Sequence, residues 1–115
     1  MKKIDDLLRK AWSFDYNKTY YLLYEEFEKA ILIKRLKLVS YQIESKRDYN
    51  GIWHQTGTFK FINEDNWECY LHDSNHPHEC QKYEGVLYEP ETDNPEEELR
   101  SLLMMRELIS WDMLG

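Results

Sequence analysis

The chain has 115 residues, 42% of them hydrophobic and 15% aromatic, and a net charge of −7. That length holds one domain, residues 1–115, around a single core, and the apolar content is too high for a disordered acidic tail. No apolar run is long enough to cross a membrane, and Asp5, Asp6 and Arg9 interrupt the amino-terminal stretch, so neither a span nor a signal peptide is expected.

The first predicted element is a helix. Ile4, Leu7, Leu8, Ala11 and Trp12 recur at helical spacing on one face, and "SFDYN" ends the pattern. A second helix is expected next, with Tyr20, Leu23, Tyr24, Phe27, Ala30 and Ile31 sharing a stripe. Beyond Lys34 the period changes: a helical stripe through Leu32, Leu36, Val39 and Ile43 fits, but Val39, Tyr41 and Ile43 also alternate with Ser40, Gln42 and Glu44, and the strand is the preferred expectation. "YNG" at 49–51 signals a hairpin into "IWHQTGTFKFI". Short strands are expected over 56–62, 67–71 and 85–88. The last element is a helix with strong start signals: Asn94 to cap it, Pro95 at its first position, and Glu96, Glu97 and Glu98 facing its dipole. Leu99, Leu102, Leu103, Ile109 and Met113 form one stripe on it, and Met104, Leu108 and Trp111 another on the far side, so the helix is either sandwiched inside its own domain or leaves one stripe exposed for a homodimer or a partner. The expected fold is therefore α+β: two N-terminal helices, a small antiparallel sheet with a zinc-binding loop at one edge, and a C-terminal helix across it.

"NWECYLHDSNHPHEC" holds both cysteines and three of the four histidines. In a cytoplasmic, reducing compartment two cysteines favour ligand or thiol roles over a disulfide. Cys69, His72, His76, His78 and Cys80 are thiolate and imidazole donors of the kind zinc takes, and any four of the five would close a tetrahedral site. Cys69 and His72 stand at the short spacing by which one turn presents two ligands, and Pro77 stiffens the following loop. A structural clasp is expected rather than a catalytic centre. The His-Glu-x-x-His and deaminase patterns are both absent, and Glu79 is one acid among many. The four glycines, Gly51, Gly57, Gly85 and Gly115, build no phosphate loop, and no serine sits in an elbow motif, so an enzyme is not expected.

Charge is segregated along the chain. Residues 1–60 carry twelve Lys/Arg against eight Asp/Glu, whereas residues 61–115 carry three against fourteen. Lys34, Arg35, Lys37, Lys46 and Arg47 form a basic strip, but the acidic half opposes direct nucleic-acid binding, and the strip reads as a solvated face. Ordered carboxylates can instead occupy a basic channel built for phosphates and be steered to it quickly.

In size, charge and aromatic content, and above all in "INEDNWECYLHDSNHPHECQKYEGVLYEPETDNPEEE", the chain resembles the small acidic single-domain anti-CRISPR inhibitors of phages and mobile elements of Gram-positive bacteria. The likeness is one of type, since those inhibitors share no motif that assigns residue roles, and the Cys/His cluster sets this chain apart from most of them. It implies a non-enzymatic inhibitor in the cytoplasm of the bacterial host, bound to a basic nucleic-acid-handling protein such as an RNA-guided DNA nuclease. The residues expected to make that contact are Glu64, Asp65, Glu68, Asp73, Glu89, Glu91 and Asp93, with Trp67 and Tyr88 as anchors. The alternative is a zinc-stabilised adaptor or immunity-type protein that acts through Met104, Leu108 and Trp111 of the C-terminal helix.

Overall fold

The computed structural model describes residues 1–25, 31–75, 83 and 85–114. Among them, strands β1 (Lys2–Ile4), β2 (Tyr20–Glu25), β3 (Ile31–Arg47), β4 (Trp53–Ile62), β5 (Glu68–Ser74) and β6 (Val86–Glu89) form one sheet. Its order is β1-β6-β2-β3-β4-β5, and every neighbouring pair is antiparallel. Two helices accompany the sheet, α1 (Leu7–Lys10), continued by a 3-10 turn at Ala11–Ser13, and α2 (Pro95–Leu114). No helix among the described residues is long and apolar enough to cross a membrane.

This corrects the expected α+β fold with two amino-terminal helices and a small sheet: the sheet dominates, and the first helix shrinks to a single turn. Ile4 belongs to β1, and Trp12, placed in the helical stripe by its spacing, is 91% exposed. The second predicted helix is the strand β2 followed by the start of β3. Its run "YYLLY" is apolar at every position because both faces of β2 are covered, and a two-sided buried strand carries no alternation. Phe27 and Ala30, which completed the supposed stripe, lie outside the described residues.

On one face, Tyr20, Leu22, Leu36, Leu38, Phe59, Phe61, Leu71 and Leu87 receive Leu7, Leu8 and Ala11 from the α1 turn. Phe14 follows the turn and packs its ring against Tyr20 (5.0 Å, edge-on), Phe59 (5.9 Å) and Phe61 (5.9 Å). Each such ring or leucine contributes roughly 1.5–3 kcal/mol by leaving water. Gly57 of β4 is the place of closest approach: a Cβ there would come within 2.8 Å of both Leu8 Cδ2 and the buried Phe59 ring. On the opposite face, Leu99 of α2 is buried against Tyr21 and Leu23, with Ile33, Tyr88, Leu102 and Leu103 around them.

The apolar stripe expected on the last helix is met at Leu99, Leu102 and Leu103, and Met104 and Met105 face solvent at 59% and 60% exposure. The side chains of Leu108, Ile109, Trp111 and Met113 lie outside the described part. Among the described residues, α2 packs on its face against β6, β2 and the start of β3. Across the far half of β3, β4 and β5, that same face carries Gln42, Glu44, Thr56, Thr58, Tyr70 and His72, and β5 ends the sheet.

Candidate protein-interaction surface

Two hairpin turns share one design. After β3, Asp48 Oδ1 accepts from Asn50 N–H and Ile52 N–H, each at 2.9 Å, and Gly51 takes φ 77°. After β4, Asn63 Oδ1 accepts from Asp65 N–H and Trp67 N–H, each at 2.9 Å, and Asn66 takes φ 61°. Main-chain bonds close the second turn, from Asn63 N–H to Trp67 O (3.0 Å) and from Asn66 N–H to Asn63 O (3.1 Å). An Asx residue that accepts two main-chain bonds, followed by a left-handed Gly or Asn, makes a three-residue loop with little freedom left. The "YNG" hairpin expectation is met at the first turn, whereas the second carried no glycine to announce it.

The second turn gathers four of the predicted contact residues. Trp67 is 72% exposed, and Glu64, Asp65 and Glu68 are exposed beside it. Behind the turn lies a cleft of about 510 Å³ that reaches to the first turn of α2. Arg35 of β3 sits in this cleft, clasped by Glu96 through Nε–Oε1 (2.7 Å) and Nη2–Oε2 (2.8 Å), and 3.5 Å from Glu64. The Arg35 hydrogen bonds hold the Glu96 carboxyl below its ordinary range, and the guanidinium itself is raised by the same contact. Glu68 takes Lys60 Nζ at 2.9 Å and the Tyr70 hydroxyl at 2.8 Å, and those two donors lower its pKa. Asp65 has no such cation among the described contacts, so the turn keeps a net negative tip around an indole.

Other predicted contact residues work inside the fold. Asp73 is 5% exposed, and its Oδ2 accepts from Leu7 N–H (2.9 Å) and Leu8 N–H (3.4 Å). It caps α1 from across the sheet, so it is corrected from partner contact to internal support. Glu89 meets Lys10 Nζ at 2.6 Å and Lys18 Nζ at 3.3 Å, with 18% of its side chain exposed. Burial works to raise its pKa, but the two lysine hydrogen bonds overcome this and hold it low. Tyr88 is half-buried in the α2 cluster. Glu91 and Asp93 are exposed in the connection to α2, where Glu91 N–H and Thr92 N–H both donate to Glu98.

The cysteine–histidine cluster falls mostly outside the description: His76, His78 and Cys80 are not among the described residues. Cys69 and His72 lie on β5, not on a turn. Three positions apart on a strand, they point to opposite faces. Cys69 packs against the α1-side core, while His72 is exposed on the other face with Nδ1 3.2 Å from Thr58 Oγ1. β5 therefore does not present the two to one ion together. Among the described residues no group of three His, Cys, Asp or Glu side chains is placed to hold a metal.

Sequence reasoning missed Asn63 and Lys60, and placed Arg35 in a solvated basic strip, whereas it is paired with Glu96 and Glu64 and helps to shape this surface. Asn63 was findable, because "NEDNW" repeats the Asx-x-x-(Asn/Gly) order of "DYNGI". No family model matches the chain, and comparisons with curated proteins and with solved structures find no match.

Proposed function

We propose that the chain is a non-catalytic inhibitor, acting in the cytoplasm of a bacterial host, that binds a basic nucleic-acid-handling protein and keeps DNA from the surface it occupies. An RNA-guided DNA nuclease is the leading partner. The observation that supports this reading is Trp67, 72% exposed on a turn held by four internal hydrogen bonds and flanked by Glu64, Asp65 and Glu68. Tryptophan is among the residues that most often dominate a protein interface, and a turn already in its bound shape loses little entropy on docking. The acids add attraction to a cationic surface and speed encounter with it.

A zinc ion belongs to the same proposal, as a clasp on the segment after β5. The strand permits one of Cys69 and His72, with His76, His78 and Cys80 supplying the rest of a four-donor set whose chemistry suits the metal.

The test is calorimetric binding of the intact chain to an RNA-guided nuclease, with and without its DNA. Affinity should fall as salt is added and as DNA is supplied. Trp67→Ala should weaken binding by about 2 kcal/mol, roughly thirtyfold. Lysine at both Glu64 and Asp65 should flatten the salt dependence. Binding indifferent to salt, to DNA, to Trp67→Ala and to the lysine pair sinks the proposal. If Met104→Ser with Met105→Ser abolishes binding instead, the partner sits on α2 and the adaptor reading replaces it.

A further inference from the structure

The hydrogen-bond phase of the β4–β5 ladder can be read from its two ends. Asn63 N–H donates to Trp67 O at the turn, and Asn75 N–H donates to Gln55 O at the far end. Both pairs fit the register that sets Phe61 opposite Cys69, Phe59 opposite Leu71 and Gly57 opposite Asp73. Hydrogen-bonded and non-bonded pairs alternate in an antiparallel ladder, so odd-numbered residues of β5 spend their main-chain groups on β4. Glu68, Tyr70 and His72 turn theirs outward, at the end of the sheet as the described residues form it, whereas Ser74 N–H is already donated to Asp73 Oδ1. Such an edge is a template for another strand, and proteins that keep it free often place lysine or proline there. β5 has neither. Among the described residues nothing pairs with its outer side.

We propose that β5 pairs antiparallel with β5 of a second copy, about a two-fold axis at Tyr70, to give a continuous sheet across the dimer. The occupant is argued from self-complementarity. In that register Glu68 faces His72 of the other copy on both sides of the axis, and the two Tyr70 rings meet at its centre, with no like charges opposed. Thr58 engages Nδ1 of His72, which leaves Nε2 as the atom that reaches the facing carboxylate. All three outward residues fall in phase, so each pair exchanges main-chain hydrogen bonds. The α1-side core stops at Leu71 and Asp73 and is not disturbed by a strand added at the edge. This inference does not rest on the inhibitor reading: of the residues gathered at the Trp67 turn only Glu68 is paired, and Trp67, Glu64 and Asp65 lie beyond the paired stretch.

Sedimentation of the intact chain should show a species of twice 14.1 kDa. Tyr70→Pro removes one outward N–H and leaves the bonds to β4 in place, so it should give a monomer with the parent's circular dichroism. Should that variant fail to fold, His72→Glu opposes carboxylates across the axis and should weaken association roughly tenfold. Tyr70→Cys, with Cys69 and Cys80 changed to serine, should cross-link under mild oxidation, because directly opposed residues in this phase bring their Cα atoms about 5.5 Å apart. A parent chain that stays monomeric at about 1 mM, the weak end of specific association, overturns the proposal. So does a dimer that survives both edge variants, or one that dissociates in strong chelator and is therefore bridged by metal.

Discussion

At the scale of single residues, the fold separates acids by what they face. Asp73 and Asp65 look alike in the sequence, since both sit among polar neighbours in the acidic half. Asp65 is solvated on a turn, whereas Asp73 is buried with two helix N–H groups on one oxygen. Removing that acceptor leaves buried donors unsatisfied, at about 1–3 kcal/mol. Asp73→Ala should therefore lower the unfolding free energy by that amount, read as a lower urea midpoint with the slope unchanged, and Asp73→Asn, which keeps an oxygen, should cost less. A midpoint unchanged in Asp73→Ala would mean that α1 is held by its leucines and by its local cap, Asp6 Oδ1 accepting from Arg9 N–H. The sequence could not distinguish the two acids, because the cap acts across 66 positions and local pattern carries no trace of a bond that long.

At the scale of elements, legibility followed the number of covered faces. α2 was readable from Asn94, Pro95 and its glutamates because a helix start is a local signal. The start is held by Glu98 N–H on Asn94 O at 3.3 Å, and by the Asn94 amide on Glu97 at 2.9 Å. β4 was readable because only one of its faces is apolar: Phe59 and Phe61 alternate with Thr58 and Lys60. β2 was not, since α1 and α2 cover it from both sides. The same strand logic decides how zinc is to be tested. If β5 contributes a ligand, parity allows Cys69 or His72 but not both. Elemental analysis of the purified chain should give one zinc per chain, and only one of Cys69→Ser and His72→Ala should reduce it. A metal-free chain whose melting temperature is indifferent to chelator would remove the clasp from the proposal.

At the scale of the whole molecule, charges segregated along the sequence are joined in space. Lys10 and Lys18 meet Glu89, Arg35 meets Glu64 and Glu96, Lys60 meets Glu68, and the Met1 amino group meets Glu98 at 3.1 Å. Each pair ties the basic half to the acidic half, so the acidic field is weaker than the sequence surplus suggests and the tip at Asp65 and Trp67 stands out. The same pairs fix the pH response. Glu98 is held at about 2, first by the Glu91 N–H and with further donors from Met1 and Thr92, and Glu89 and Glu96 are also lowered by their partners. Unfolded glutamates titrate near about 4.3, so as pH falls the unfolded chain takes up protons before the folded one does. The stability these carboxylates provide is complete above that value and drains away as pH falls toward about 2. Thermal melts across this window should show a melting temperature that drops steadily with acid. Glu98→Gln should melt below the parent at neutral pH and meet it as pH approaches about 2. A Glu98→Gln curve that runs parallel to the parent throughout would show that the carboxylate's charge contributes nothing to holding the start of α2 against Met1 and the 91–92 connection.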